Sequence, residues 1–292
     1  MEKVIVDIGS GRTKSYIINE KNQILKLYAK RIPLRERYNE LTGINKEDKK
    51  CLFDTINKIK HLSEGRPIHI YGTSVFRTME DKISLFLKEF EKNTNLKIEV
   101  ISVERESELM TKAVGNLGLD DTYLVVCVGN GATEINVMKD GQVIESVDTE
   151  FARANLVNSF PELRDEECNT PITEMEEFVG KNLKLPKIKS DNIIVLGFNN
   201  LDKTMEFGFE LSNNTYFHKQ SIPSFISKEQ FQAETKRVLN ENCSGSYLYL
   251  FRANCIIIGY ILKKMGAKVC FPTNLNLIDG IVEEIKEEKK DY

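Results

Sequence analysis

No two cysteines in this chain are spaced as C-x-x-C, although it carries six, at positions 51, 127, 168, 243, 255 and 270. The histidines, His61, His69 and His218, stand near none of them at ligand spacing. That excludes the common zinc patterns and leaves free thiols, so a reducing, cytoplasmic setting is expected. An excess of one charge is also lacking, since 41 Lys and Arg face 44 Asp and Glu. Such a balance creates no broad field for nucleic acid or a membrane surface, and any polyanion must be held by a local site. Long apolar runs are missing too. The most apolar stretch, Ala253 to Leu262, is interrupted by Asn254 and Gly259 and falls well short of the ~20 residues of a membrane span. No charged-then-apolar leader precedes the first strand at Val4, so no secretory signal is expected.

What is present is a duplicated motif. The chain has 292 residues, 41% hydrophobic and 29% charged, enough for two cores of ordinary size. Val4-Ile5-Val6-Asp7-Ile8-Gly9-Ser10-Gly11-Arg12-Thr13 recurs as Leu124-Val125-Val126-Cys127-Val128-Gly129-Asn130-Gly131-Ala132-Thr133. In both copies β-branched residues run into Gly-x-Gly-x-Thr, the mark of a buried strand entering a tight turn. Each copy then reads strand, polar cluster, strand, starting again at Gln23 or Gln142. Two related domains whose turns face one another are the expectation. Glycines at such turns let backbone N–H groups approach a phosphate. A pair of ordinary β-hairpins fits the same glycines.

Between the copies the pattern alternates. Asn45 with Asp48 starts a helix that runs to Leu62, Ile68 to Tyr71 is a strand, and Ile83, Phe86, Leu87 and Phe90 have the spacing of an amphipathic helix. A strand over 97–101 and a helix over 104–117 follow, an order that implies parallel pairing with crossovers. The first domain is expected to close at residue 120. After the second copy come an acidic helical segment between Pro161 and Pro186, a strand over 193–196, and an unreadable stretch over 206–217. Helices over 229–239 and 247–264, a strand over 268–271 and a last helix over 279–290 complete the chain.

Five stretches, taken in order, resemble the exopolyphosphatase and guanosine pentaphosphate phosphohydrolase (Ppx/GppA) family. Asp7-Ile8-Gly9-Ser10 resembles its first phosphate loop, and Gly72-Thr73-Ser74-Val75-Phe76-Arg77 its Ala-Thr-Ser-x-x-Arg segment. Ile101-Ser102 to Leu109, with Glu106, resembles its Ile-Ser-Gly-x-Glu-Glu helix start. Gly129-Asn130-Gly131-Ala132-Thr133-Glu134 stands where the family has Gly-Gly-Gly-Ser-Thr-Glu. Arg252-Ala253-Asn254 with Gly259, then Leu277 and Asp279-Gly280, resemble its closing signatures. The resemblance implies an α/β fold of two actin-like (ribonuclease H-like) domains with a cleft between them, over 1–120 and 121–292, with 281–292 packing back on the first. It implies the short form of the family, a homodimer, Mg²⁺, and a polyphosphate or guanosine polyphosphate substrate.

Carried onto this sequence, the resemblance makes Glu106 and Glu134 the catalytic candidates and Asp7 and Glu134 the metal ligands. The phosphate-binding set is then Gly9, Ser10, Gly11, Arg12, Thr73, Ser74, Arg77, Gly129, Asn130, Gly131, Ala132 and Thr133. The chemistry is consistent with these residue types. Mg²⁺ favours carboxylate oxygens, guanidinium pairs with phosphate, and a carboxylate can orient the attacking water. Other roles fit as well: Asp7 as a cap on its own turn, and Arg77 as the partner of a neighbouring carboxylate. Strand alternation is expected to point Lys14 away from the site.

The departures from the family are specific. Cys127 stands where the family has an Asp, Arg105 where it has the first Glu of a pair, and Ile278 where it has a late Arg. The Gly-Thr segment expected near Gly197 reads Phe198-Asn199-Asn200. A thiol is a poor ligand for Mg²⁺. Three readings stay open: a phosphoanhydride hydrolase, a weakened relative that senses a polyphosphorylated ligand, and an ATP-using member of the superfold.

Overall fold

A computed structural model describes residues 2–115, 122–197, 225–240 and 248–288. The expected boundary at 120, Phe198-Asn199-Asn200, the stretch 206–217, His218 and Cys243 lie outside the described residues. The chain divides into two compact units, Met1–Leu109 with Leu277–Tyr292, and Met110–Asn276.

The first unit is built on a five-stranded sheet of β1 (Lys3–Ile8), β2 (Arg12–Ile18), β3 (Ile24–Arg31), β4 (Ile68–Gly72) and β5 (Glu99–Val100), in the order β3-β2-β1-β4-β5. β1 pairs antiparallel with β2 and parallel with β4, as the crossover pattern requires. Alternation along β1 sends Val4, Val6 and Ile8 to one face. There they meet Leu52, Ile56 and Ile59 of α1 (Lys46–Leu62) and Phe86 and Phe90 of α2 (Lys82–Thr94). The α1 start is capped as its sequence predicts: the Asn45 side chain accepts the Asp48 N–H at 2.9 Å.

Ile5 and Asp7 occupy the opposite face of β1. Ile5 packs there with Ile18, with Leu109 of α3 (Val103–Val114) and with Ile278, Ile281 and Val282 of the last described helix, Leu277–Glu288. That helix approaches α3 closely enough that a Cβ on Gly280 would stand 1.8 Å from the Leu109 carbonyl oxygen. Gly280 of the closing signature therefore has a packing reason. Arg105 of α3 forms ion pairs with Glu284 of the same last helix and, at 3.3 Å, with Glu108.

The second unit carries a six-stranded sheet of β6 (Tyr123–Val128), β7 (Thr133–Lys139), β8 (Gln142–Thr149), β9 (Asn192–Leu196), β10 (Ile226–Ser227) and β11 (Val269–Pro272). Its order is β10-β11-β9-β6-β7-β8, so β8-β7-β6-β9-β11 repeats the arrangement of the first sheet. Leu124, Val126 and Val128 face a large core closed by α4 (Arg153–Ser159), α5 (Ile172–Asn182), α6 (Lys228–Asn240) and α7 (Leu248–Met265). The last described helix is then α8 (Leu277–Glu288). Tyr123 and Val125 on the other face join Met110, Ala113, Val114, Ile194 and Leu196. α3 thus supplies Leu109 to a core of the first unit and Met110 to one of the second, which is why the division falls inside this helix.

Arg252 of α7, from the late Arg-Ala-Asn stretch, is fully buried. Its guanidinium donates to the carbonyls of Val238, Leu163, Asp165 and Glu166 at 2.6–3.1 Å. It caps carbonyls at the ends of α6 and of the short helical turn Pro161–Arg164, a structural task that uses four of its five donors. Among the described residues, no helix is long and apolar enough to cross a membrane.

The α3–α8 approach generates a test. In an ordinary helix interior Gly→Ala stabilises by about 1 kcal/mol, whereas overpacking against backbone costs roughly 1–3 kcal/mol or more. Gly280→Ala is expected to lower the denaturation midpoint of the chain. A midpoint raised by the helix-propensity amount would show that α8 does not sit on Leu109.

Candidate functional site

The two glycine turns are closed in the same way. The Gly9 N–H donates to the Arg12 carbonyl at 3.1 Å, and the Gly129 N–H donates to the Ala132 carbonyl at 2.9 Å. The second turn is the tighter, since a Cβ on Gly129 would stand 2.8 Å from the Ala132 oxygen. These two amides are therefore spent on the turns themselves. In the first turn the Gly11 and Ser10 carbonyls are taken by the N–H groups of Ile32 and Arg35. No acceptor among the described residues takes the N–H groups of Ser10 and Gly11. The turn's carbonyls face protein donors, and its amide edge is what it has left to offer an anion.

Thr73 and Ser74 are brought beside this turn. The Thr73 N–H donates to the Ile8 carbonyl at 3.3 Å, and the Val75 N–H donates to the Ser10 hydroxyl at 3.1 Å. The short helical turn Ser74–Met79 carries Arg77. Arg77 meets Glu106 at 2.7 Å and donates to the Ile101 carbonyl at 3.2 Å. The phosphate-gripping candidate and the catalytic candidate are thus partners of one another. Ser102, at the start of the same motif, accepts the Arg105 N–H on its hydroxyl at 3.1 Å and so begins the helix that presents Glu106.

Asp7, the last residue but one of β1, is only 8% exposed. Lys14 does not point away from it. Asp7 and Lys14 are direct cross-strand partners in β1 and β2, and residues opposed in an antiparallel pair project to the same face. The Lys14 ammonium lies 3.8 Å from the Asp7 carboxylate. Counting alternation along β2 alone missed this, because the register across the turn sets which residue faces Asp7. Burial pushes the Asp7 carboxyl above its usual range, and Lys14 pulls it back. Tyr16, two residues on and on the same face, is pushed up by burial, by Asp7 and by Asp279, while Arg12 eases it back. Asp7, Arg12, Lys14, Tyr16 and Asp279 therefore share one electrostatic neighbourhood, in which the sequence placed only Asp7 and Arg12 as site residues.

In the second unit the equivalent row is different. Cys127 stands opposite Glu134, and Glu134 stands opposite Asp148 on β8. Cys127 thus holds in β6 the place that Asp7 holds in β1. It is partly exposed and packs against the core of Tyr123 and Val125. Glu134 is 4% exposed. The Thr133 hydroxyl donates to the Phe151 carbonyl at 2.7 Å. Arg153 donates through Nε to the Gly129 carbonyl at 2.7 Å, and the Ala154 N–H donates to the Asn130 carbonyl at 3.1 Å. Asp148 and Arg153 went unnamed in the sequence, since nothing local marks a residue brought to the turn by β8 or α4.

Among the described residues, no group of three or more His, Cys, Asp or Glu is placed to hold a metal. Mg²⁺ is nonetheless commonly held by one or two carboxylates, with waters and substrate phosphates completing the shell. Asp7 at a strand end fits that share, and so does Glu134; the Cys127 thiol does not.

The model of the Ppx/GppA phosphatase family matches residues 4–191, well over half of the chain. An exopolyphosphatase from Cytophaga hutchinsonii is similar in structure, with a TM-score of 0.78 over 99% of this chain and 98% of its own, at 16% identity. A Ppx/GppA family member from Aquifex aeolicus gives a TM-score of 0.72 over 99% and 98%, at 19% identity. Similarity at such identities shows the fold, which is the two-domain, actin-like α/β architecture expected from the sequence. No curated protein matches the chain.

The Asp7 environment makes a pH prediction. A carboxyl whose folded pKa is raised favours the fold below its unfolded pKa, and that contribution is lost as pH rises through the folded value. Asp7→Asn is therefore expected to melt at a higher temperature than the parent at neutral pH. The gain should shrink as the pH falls towards and below ~3.9, the ordinary aspartate value. A variant that melts lower than the parent at neutral pH would contradict this account of Asp7.

Proposed function

We propose that this chain, which belongs to the Ppx/GppA phosphatase family, releases orthophosphate from the end of inorganic polyphosphate or a guanosine polyphosphate. The observation that carries the reading is the first turn. Its carbonyls at Ser10, Gly11 and Arg12 are tied back by protein donors, its Ser10 and Gly11 amides remain, and Asp7 and Lys14 stand at the strand ends that it joins.

In the proposed reaction, water attacks the terminal phosphorus and the bond to the bridging oxygen breaks. The shortened chain leaves with the electron pair, and orthophosphate carries the incoming oxygen. The work left to the protein is positioning and charge stabilisation. The Ser10 and Gly11 amides, Lys14 and Arg12 would bind non-bridging oxygens, the cations pairing with phosphate charge. Glu106, its carboxylate oriented by Arg77, would hold the attacking water and accept its proton. Mg²⁺, held by Asp7 together with the substrate's phosphates, would supply further charge neutralisation.

Glu106→Gln is expected to reduce orthophosphate release by roughly 100-fold or more, the range typical of losing a general base, with the fold retained by circular dichroism. Undiminished release in that variant would remove Glu106 from the mechanism. Absence of release from both substrate classes with Mg²⁺ present would remove the hydrolase reading.

The place of Cys127 favours a second reading, a weakened relative that binds the ligand and senses it. It predicts thermal stabilisation by polyphosphate without turnover, and a gain of turnover in Cys127→Asp. Turnover that this substitution leaves unchanged would refute it.

A further inference from the structure

We propose that Arg105 and Glu284 are positioning residues for the hydrolysis: their ion pair fixes the first turn of α3 against α8 and so holds the Glu106 carboxylate at the attacking water. This rests on the hydrolase reading above. Glu106 lies in the first turn of α3, and the end of a helix is the part that frays most readily. Ser102 begins that turn. Its hydroxyl accepts the Arg105 N–H at 3.1 Å, and its carbonyl accepts the Glu106 N–H at 3.0 Å. Both bonds go to the residue just ahead of the helix, so they shape the turn without anchoring it to the rest of the unit.

Two contacts, one helical turn apart, supply the anchor. Arg105 and Leu109 are four residues apart on α3 and share a face, as Gly280 and Glu284 do on α8. Arg105 meets Glu284 and Leu109 meets Gly280, so the order of contacts runs in opposite directions along the two helices. The approach of Leu109 to Gly280 alone would leave the start of α3 able to tilt and roll about one point. The ion pair adds a second point nearer the N-terminus and removes that freedom. Successive residues of a helix are ~100° apart around its axis. What holds Arg105 on α8 therefore also sets the direction in which Glu106 leaves α3.

Charge supports the assignment. An acidic residue at 105, as in the family pattern, would face Glu284 with like charge, whereas Arg105 meets it in a charge-assisted hydrogen bond. Arg77 acts at the other end of Glu106. It donates to the carboxylate at 2.7 Å and to the Ile101 carbonyl at 3.2 Å. Arg77 thus orients the carboxylate, and the Arg105–Glu284 pair holds the backbone from which it projects. A general base must stand within hydrogen-bond reach of the proton it takes, so a small displacement of this turn is felt in the rate. The pair does little for stability as such, since its side chains are 36% and 23% exposed.

The test measures orthophosphate release, melting temperature and amide hydrogen exchange of the full-length chain in Glu284→Gln, Arg105→Gln and the double substitution. Each single change is expected to lower kcat by about tenfold, within the scale of a small misplacement remote from the chemistry. KM and the melting temperature should stay close to the parent's. The double substitution should lose no more than either single one, because both act through one contact, and Arg105→Lys, which keeps the charge, should retain most of kcat. Glu89→Gln is the control. It breaks an ion pair with Lys49 of similar exposure, away from this turn, and should leave kcat unchanged. Exchange of the Glu106 amide should be faster in Glu284→Gln. An unchanged kcat in both single variants overturns the proposal, and so do losses that multiply in the double one, an equal loss in the control, or unchanged exchange at Glu106. A parent that releases no orthophosphate from either substrate class refutes the hydrolase reading. Faster exchange in Glu284→Gln then still upholds the hold of α8 on this turn, and unchanged exchange refutes that as well.

Discussion

A single backbone hydrogen bond, made twice, sets the geometry on which the rest of this molecule depends. When Gly9 closes onto Arg12, and Gly129 onto Ala132, the strands on either side of each turn are locked in register. That register puts Lys14 opposite Asp7 in one sheet and Glu134 opposite Cys127 in the other. A slip by one residue would turn each of these side chains to the opposite face of its sheet. The glycine matters most at 129, where a Cβ would press on the very carbonyl that accepts the bond. The turns are thus conditions for the placement of charge, before they are binding elements themselves.

From this placement follows an uneven distribution of chemistry between two sheets of matching order. The first unit gathers a buried carboxylate, an ammonium, a guanidinium and a phenol around the end of β1 and β2. Burial of Asp7 works against its charge, and Lys14 partly offsets that cost. The second unit has a thiol at the corresponding place, with Glu134 and Asp148 in the same cross-strand row. Departures from the family pattern have local partners. Arg105, in place of an acidic residue, pairs with Glu284 on α8, and this ion pair joins the Leu109–Gly280 approach in holding α3 to that helix. Glu106 lies one residue further along the same helical turn, where Arg77 and the Ile101 carbonyl fix its surroundings.

Much of the fold was legible in the sequence because the signals were local or periodic. The repeated Gly-x-Gly-x-Thr announced two hairpins, Asn45 and Asp48 marked a helix start, and Ile83 to Phe90 carried the helical spacing. The end of the first unit was less legible. The helical pattern continues past Leu109 without a break, and only packing shows that Leu109 and Met110 serve different cores. Lys14 was misread for a related reason, since its orientation depends on a partner across the turn. Arg252 looked like part of a functional signature, yet its guanidinium donates to four backbone carbonyls, one of them 89 positions away.

By itself the sequence determined the kind of strands and helices, the duplication, the glycine turns and the residues that end each strand, because these follow from periodicity and from steric limits on short segments. Tertiary structure alone decided which charges meet: Lys14 with Asp7, Arg77 with Glu106, and Arg105 with Glu284. Those pairings join residues from different elements. They are set by register, by crossover and by the depth to which helices pack, none of which leaves a mark in the neighbouring residues of the chain.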